Sequence, residues 1–208
     1  MFIIGVTGNI GTGKSTVSEM LAGYGAKVLS ADKISRRLLW KNSPCFPKIV
    51  RAFGRGILKG GSINRSRLAA IVFNDRRTLK QLEAILHPEV KKEIMRRIER
   101  IKKRPGFSCV VLDVPLLFES GLHRDVDFTV VVNTKKDFRL KRSMRRLALT
   151  QSQILLRDQR QMPLEDKCRL ADYIINNNGT IKQTKDKVKT LWQKVQQMEK
   201  KPKKKNLR

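Results

Sequence analysis

The sequence predicts an α/β fold in which five parallel strands form a sheet flanked by helices. The strands are predicted from five short segments that are apolar and rich in β-branched residues, as expected of strands covered on both faces. They are FIIGV (2–6), AKVLSA (26–31), SCVVLDV (108–114), DFTVVVN (127–133) and DYIIN (172–176). Helical segments separate them, so right-handed crossovers and a mostly parallel sheet are expected.

The long interval between the second and third strands, roughly 33–107, is predicted to be almost wholly helical. Asn64 is a suitable N-cap for the segment RSRLAAIVF. Pro88 is expected to begin a further helix, because proline is favoured in the first helical turn. An interval of this length exceeds an ordinary crossover, so we expect a helical subdomain mounted on the sheet.

A second helical stretch, at about 135–170, is strongly basic and is predicted to form a helical hairpin. Its second half begins with Thr150 and Gln153 at the spacing of a capping box. The C-terminal segment EKKPKKKNLR (199–208) has low complexity and is predicted to be disordered.

The chain of 208 residues carries a formal net charge of +28, which makes nucleic acid, anionic lipid and polyphosphate ligands the candidate partners. The longest apolar runs fall far short of the ~20 residues that span a membrane. Cys45, Cys109 and Cys168 are widely separated and lack metal-site spacing, as in proteins of a reducing cytosol. We therefore expect a soluble, cytoplasmic protein with no membrane association.

The segment GVTGNIGTGKST (5–16) contains the pattern G-x-x-x-x-G-K-[ST] between a predicted strand and a predicted helix. Backbone N–H groups of such a loop converge on phosphate oxygens, and the helix that follows adds its positive dipole end. Lys14 is expected to bridge the β- and γ-phosphates of ATP, and the Ser15 hydroxyl to ligate Mg²⁺. The sequence thus predicts a P-loop NTPase fold.

Two aspartates are candidates for the remaining chemistry. Asp32 follows the second strand, where an open α/β sheet presents its ligand crevice, and is predicted to orient or deprotonate an attacking hydroxyl. Its alternative role is to cap the next helix. Asp113 ends the third strand and either holds Mg²⁺ through water or forms a turn before Pro115.

Arg142 and Arg146 are an i, i+4 pair on one face of the basic helix. They are able to neutralise charge on a transferring phosphoryl group, and the alternative is a solvated basic face. A GTPase is disfavoured because Asp113 is followed by Val-Pro-Leu and the segment NNNG lacks the lysine and aspartate of a guanine reader.

Seven motifs, in order along the chain, resemble those of the dephospho-CoA kinase family. They are GVTGNIGTGKST, SADKISR (30–36), RLAAIVF with LEAILHPEV (67–90), DVPLLFE (113–119), RLKRSMRR (139–146), RDQRQMPLEDK (157–167) and ADYIINNNG (171–179). The resemblance covers about residues 2–195. Asn9 stands where the family frequently has glycine.

This resemblance implies a three-part architecture. The nucleotide-binding core comprises 1–32, 105–134 and 171–198; the helical domain on the side of the acceptor substrate comprises 33–104; and a lid over ATP comprises 135–170, before the tail at 199–208. The resemblance also assigns candidate site residues. The ATP loop corresponds to Gly11, Thr12, Gly13, Lys14, Ser15 and Thr16, the acceptor side to Asp32, Arg36, His87 and Pro88, and the lid to Arg142 and Arg146.

The implied activity is Mg²⁺-dependent transfer of the γ-phosphoryl group of ATP to the ribose 3′-hydroxyl of dephospho-CoA, the last step of coenzyme A synthesis. Another P-loop nucleoside or nucleotide kinase is the alternative enzyme. An ATP-switched nucleic-acid-binding module is the alternative of a different class, although aromatic residues are only 6% and none is interleaved with the basic runs. No specific nucleic-acid partner is expected, and the protein is expected to be a monomer or a weak homo-oligomer.

Overall fold

The computed structural model describes residues 1–147 and 150–199. The strands in this part of the chain are β1 (Phe2–Thr7), β2 (Lys27–Ser30), β3 (Leu58–Lys59), β4 (Ser62–Ile63), β5 (Cys109–Asp113), β6 (Phe128–Asn133) and β7 (Tyr173–Asn176). The α-helices are α1 (Lys14–Gly23), α2 (Ala31–Leu38), α3 (Cys45–Phe53), α4 (Arg65–Asn74), α5 (Arg76–Lys102), α6 (Lys136–Leu147), α7 (Gln151–Asp158), α8 (Leu164–Leu170) and α9 (Ile181–Glu199).

The chain divides into two compact units. The first unit comprises Met1–Leu29 together with the described residues from Arg104 onward, and the second unit comprises Ser30–Lys103. The functional division into core, acceptor-side domain and lid stays a prediction. None of the helices within the described ranges has the length and apolar character that crossing a membrane requires.

The main sheet has five strands in the order β2-β5-β1-β6-β7. The central strand β1 runs parallel to β5, with Phe2 opposite Cys109, and parallel to β6, with Ile4 opposite Phe128. β7 is parallel to β6. The predicted five-stranded parallel sheet is therefore confirmed, and its five apolar segments are the five strands.

The main core of the first unit lies on one face of this sheet, where α1 and α9 pack side by side. The apolar faces of α1 and α9 supply Val17, Leu21, Val188, Leu191 and Val195, all fully buried. This packing fixes the start of α1 relative to the end of β1, and so positions the connection between them.

The second unit differs from its prediction at Pro88. A helix was expected to begin there, but α5 continues without a break from Arg76 to Lys102 with Pro88 inside it. Proline lacks an N–H group and leaves the carbonyl of Ala84 without its usual helical donor. Ala84 and Pro88 are both exposed, so water is able to reach that carbonyl, and the buried residues on the opposite face hold the helix together.

A small antiparallel hairpin interrupts the region that was expected to be almost wholly helical. β3 pairs with β4, with Leu58 opposite Ile63. Gly60 and Gly61 form the two-residue turn with φ angles of +58° and +74°. Positive φ at both central residues is the requirement of a type I′ hairpin turn, which glycine meets without strain.

The basic stretch at 135–170 was expected to be a hairpin of two helices, and it contains α6 and α7 followed by the shorter α8. The capping box is confirmed, since Thr150 and Gln153 exchange side-chain and backbone hydrogen bonds at the start of α7. Asn64 caps α4 as predicted, accepting from the N–H groups of Ser66 and Arg67. Glu199 is the last residue of α9, and the rest of the predicted tail, 200–208, lies outside the described residues.

Candidate active site

The connection between β1 and α1 is a tight loop whose glycines are required by their surroundings. Gly11 has φ +79°, and a Cβ atom there would collide with the Arg139 carbonyl and the Ser143 hydroxyl of α6. Gly13 has φ +92°, and a Cβ atom there would collide with the Asn177 side-chain amide. Larger residues are therefore excluded by backbone conformation and by close packing together.

Two side chains hold the carbonyl group of Thr12 in place. The Thr134 hydroxyl donates to it at 3.0 Å, and the Asn177 amide donates at 2.8 Å. The Thr12 hydroxyl in turn donates to the Asn9 carbonyl at 2.9 Å. Because this carbonyl is held by two donors, the backbone of the loop is restrained at Thr12.

Lys14, Ser15 and Thr16 form the first turn of α1. The first-turn amides of a helix have no intrahelical acceptor. The N-cap residue of α1 is Gly13, which has no side chain to accept from these amides. Such amides together with the helix dipole attract an anion, and a phosphate group satisfies both. The geometry is that of a phosphate-binding loop.

Ser15 in the first turn of α1 and Asp113 at the end of β5 are brought together because β1, which leads into α1, is paired with β5. The Ser15 hydroxyl donates to Asp113 Oδ2 at 3.4 Å, and Asp113 is buried at the end of β5. A hydroxyl and a carboxylate are oxygen ligands of the kind that Mg²⁺ prefers. Within residues 1–147 and 150–199 no three His, Cys, Asp or Glu side chains cluster as a metal cage. The pair suits a cation that takes its other ligands from phosphate and water.

The phosphate loop is tied to the basic helices through Asp158 of α7. Asn9 Nδ2 donates to Asp158 Oδ1 at 3.0 Å and to the Met162 carbonyl at 3.3 Å. The Ile10 N–H donates to Gln161 Oε1 at 3.1 Å. These contacts fix the first half of the loop against the end of α7.

Asp158 also forms an ion pair with Arg139, a buried residue of α6. Burial alone would raise the pKa of Asp158, but hydrogen bonds from Arg139 and Asn9 and the charge of Arg139 outweigh it and lower that pKa. Asp158 is therefore ionised at neutral pH, and the cluster of loop, α6 and α7 carries a fixed charge pair.

The two predicted lid arginines lie in different environments on α6. Arg142 donates to the Asn177 carbonyl at 2.8 Å, and its guanidinium lies 5.8 Å from the centre of the Phe138 ring. Arg146 is exposed. Arg142 is thus adjacent to the residue that holds the phosphate loop, while Arg146 is free to reach solvent or a ligand.

The acceptor-side candidates belong to the second unit. Asp32 and Arg36 are exposed on α2, one turn apart. Ser30, not Asp32, is the N-cap of α2, because its side chain accepts from the Lys33 N–H. Capping is therefore excluded as the role of Asp32.

His87 and Pro88 lie in the middle of α5, where His87 is half-buried and Pro88 is exposed. Pro88 was expected at a helix start. Both residues therefore lie on the surface of a continuous helix, where side chains three or four positions apart point in the same direction.

Sequence reasoning missed three residues that the structure places around the loop: Arg139, Asp158 and Asn177. Arg139 and Asp158 lie in the motifs RLKRSMRR and RDQRQMPLEDK, where no role was assigned to them, and only the fold brings the two side chains together. Asn177 lies in the motif ADYIINNNG, but this asparagine was assigned no role from the sequence.

Comparison with known proteins agrees with this geometry. The family model described as "Dephospho-CoA kinase" matches residues 2–183. A dephospho-CoA kinase from Carboxydothermus hydrogenoformans is 42% identical over 193 residues, covering 92% of this chain and 93% of the relative.

Two solved structures are similar over nearly the whole chain. A Thermus thermophilus protein has a TM-score of 0.79 and 35% identity, covering 93% of this chain and 97% of that one. A dephospho-CoA kinase from Campylobacter jejuni has a TM-score of 0.68 and 31% identity, covering 94% and 98% of the respective chains. With a P-loop, a five-stranded parallel sheet and relatives of this similarity, the chain belongs to the dephospho-CoA kinase family.

Proposed function

We propose that this protein transfers the γ-phosphoryl group of ATP to the ribose 3′-hydroxyl of dephospho-CoA, giving ADP and coenzyme A. Membership of the family supports the acceptor. The observation that supports phosphoryl transfer most directly is the phosphate loop, in which the Ser15 hydroxyl donates a hydrogen bond to Asp113.

On the nucleotide side, the loop from Gly11 to Thr16 binds the triphosphate through backbone N–H groups and the start of α1. Lys14 reaches the β- and γ-phosphates and compensates the charge that develops on them. The loop is held by Thr134 and Asn177 before binding, so little reorganisation is needed when ATP arrives.

Ser15 and Asp113 are the residues that would hold Mg²⁺, the hydroxyl directly and the carboxylate through water. When bound, the ion supplies neutralisation of phosphate charge. Asp113 also accepts a hydrogen bond from the Ser15 hydroxyl, which leaves the lone pairs of that oxygen available to a cation.

On the acceptor side, Asp32 orients the 3′-hydroxyl or accepts its proton, since an exposed carboxylate that caps no helix is free for this task. Arg36, His87 and Pro88 form the pocket of the acceptor. Arg142 and Arg146 stabilise the charge on the transferring group. The net charge of the protein is +28, and binding of the anionic phosphates of dephospho-CoA and ATP accounts for part of this positive charge.

We also propose that the protein works in the cytoplasm, without membrane attachment and without a specific nucleic-acid partner, as a monomer or weak homo-oligomer. The coenzyme is a soluble polyanion, and a positively charged protein attracts it at long range.

The direct test is incubation with ATP, Mg²⁺ and dephospho-CoA, with the product identified by mass. The expected result is a product heavier by one phosphoryl group and an equal amount of ADP. A panel of nucleosides and nucleotides as acceptors separates the alternative kinases. Preferential phosphorylation of one of these would refute the proposed acceptor, and ATP-dependent RNA retention without any transfer would indicate a binding module.

A further inference from the structure

Lys167 of α8 is a charged residue with no exposed surface, at 0% relative accessibility. Its ammonium group donates to the Pro115 carbonyl at 2.8 Å and pairs with Glu119 Oε1 at 2.9 Å. A lysine is almost never fully buried unless it is paired, because its charge loses hydration. Its two partners lie in one segment, the stretch that leaves β5.

Both partners of Lys167 also bind other parts of the chain. The Pro115 carbonyl accepts from the hydroxyl of Thr7, the last residue of β1, at 3.0 Å. Glu119 Oε1 accepts from the Met162 N–H, just before α8, at 2.9 Å. Lys167 therefore joins the end of β1, the segment 113–119 and the start of α8 in one polar cluster.

This cluster is connected to the phosphate loop through Thr7, the residue that precedes the loop, and through Asp113. Pro115 is two residues beyond Asp113, which contacts Ser15. Burial lowers the pKa of Lys167, and the positive charge of Lys14 lowers it further. Glu119 opposes both effects.

We infer that Lys167 is a positioning residue for phosphoryl transfer, which holds the segment 113–119 through Pro115 and Glu119 so that Asp113 stays in register with Ser15. This inference rests on the proposed function. The competing explanation is that the ion pair only stabilises the fold. If the role of the ion pair were purely structural, its loss would lower the melting temperature. Amide exchange over 113–121 and the rate of the chemical step would then not change.

The test compares Lys167→Met and Glu119→Gln with the wild-type protein, and Arg169→Met is the matched control. Arg169 lies on the same helix and also forms an ion pair, with Asp166 at 3.0 Å, but its side chain is 78% exposed. Glu119→Gln keeps an oxygen that accepts from Lys167 and Met162 and removes only the charge.

The first measurement is amide hydrogen exchange of the nucleotide-free proteins. The Val114 N–H donates to the Val6 carbonyl at 3.0 Å, and the Ser120 N–H donates to the Leu116 carbonyl at 2.9 Å, so exchange of these amides reports on the segment. Exchange over 113–121 should accelerate in Lys167→Met by about tenfold or more, because the segment loses the two contacts to Lys167 that oppose its local opening. Exchange in α9 should not change.

The second measurement separates kcat from KM for ATP with dephospho-CoA as acceptor. We expect kcat to fall about 10- to 100-fold in Lys167→Met, and less in Glu119→Gln, with little change in KM, because loop amides still bind the triphosphate. Arg169→Met should match the wild type in both measurements.

Unchanged exchange over 113–121 together with unchanged kcat in a folded Lys167→Met protein would overturn the inference. If that variant does not fold, Glu119→Gln decides, and wild-type exchange and kcat in it would overturn the inference equally. A wild-type protein that does not phosphorylate dephospho-CoA would refute the proposed function instead. The exchange comparison would still test whether Lys167 holds the segment.

Discussion

Arg139 and Asp158 form a two-point ion pair, with Nη1 2.5 Å from Oδ1 and Nη2 3.0 Å from Oδ2. The same carboxylate accepts a hydrogen bond from Asn9 of the phosphate loop. Two planar groups in this arrangement allow little freedom of orientation. The conformation of the loop therefore depends on an aspartate that lies 149 residues later in the chain.

Asp158→Asn should destabilise the protein by about 1–3 kcal/mol at neutral pH, because Arg139 is left buried without its counter-charge. The pKa of Asp158 is lower in the folded protein than its value of about 3.9 in the unfolded chain. Its stabilising contribution is therefore complete above that value and is lost as the pH falls through the folded pKa. Urea unfolding of both proteins between neutral and acidic pH measures the difference.

Asp166→Asn is the control for this prediction, since Asp166 pairs with Arg169 on the surface of α8. Exposed pairs contribute under about 1 kcal/mol. If the gap between wild type and Asp158→Asn stayed constant below about pH 4, the carboxylate of Asp158 would not be the source of the stability.

Lys14→Ala should lower kcat at least about a hundredfold and leave the fold intact. Lys14 is half-buried in the first turn of α1 and is not part of the apolar core, so its loss leaves no cavity. Coupled measurement of ADP release gives the rate, and thermal unfolding gives the stability. Wild-type turnover in this variant would contradict the assignment of the phosphate loop.

Asp32→Asn should lower kcat about 10²- to 10⁴-fold with little change in the affinity for ATP, because the carboxylate acts on the acceptor hydroxyl. The rate and the binding of ATP are measured separately, the latter by calorimetry. Ser30→Ala is the contrasting variant, since it removes the N-cap of α2 and should cost about 1 kcal/mol of stability. An equal loss of ATP binding in Asp32→Asn would indicate a role on the nucleotide side.

Removal of residues 200–208 should leave kcat and the KM for dephospho-CoA unchanged. Glu199 accepts a hydrogen bond from Ser108 at 3.2 Å, so the truncation preserves the last described contact of α9. The lysines removed should matter for association with polyanions, which weakens steeply with salt. A severalfold catalytic loss that persists at near-physiological salt would show that the tail reaches the active site.

The strands and the phosphate loop are predictable from sequence because their signals are local. A continuous β-branched run has few alternatives to a buried strand, and the loop needs glycine, lysine and a hydroxyl at fixed spacing. The caps at Asn64 and Thr150 are predictable for the same reason. Each depends on residues within four positions of one another.

The parts that were not predictable depend on distant partners or on exposure. Nothing near Lys167 in the sequence indicates burial, which results from Pro115 and Glu119 about fifty residues earlier. In the sequence, Pro88 indicates the start of a helix, because proline is usually unfavourable inside one. That α5 accommodates this proline depends on which face of the helix is exposed to water, which the local sequence does not show. By contrast, the turn at Gly60 and Gly61 was predictable, because two consecutive glycines favour a two-residue hairpin turn. The prediction of a helical interval did not take this pair into account.

The strand order also has a consequence for biosynthesis. β1 leaves the ribosome before the other strands of its sheet, yet Phe2 pairs with Cys109 and Ile4 with Phe128. At about 5–20 residues per second, the nascent chain carries this apolar strand without a sheet partner for several seconds or longer. Ser30–Lys103, compact as a unit, is complete before that partner emerges. The central strand of the sheet is therefore synthesised well before its neighbours, and formation of the sheet is late and non-local.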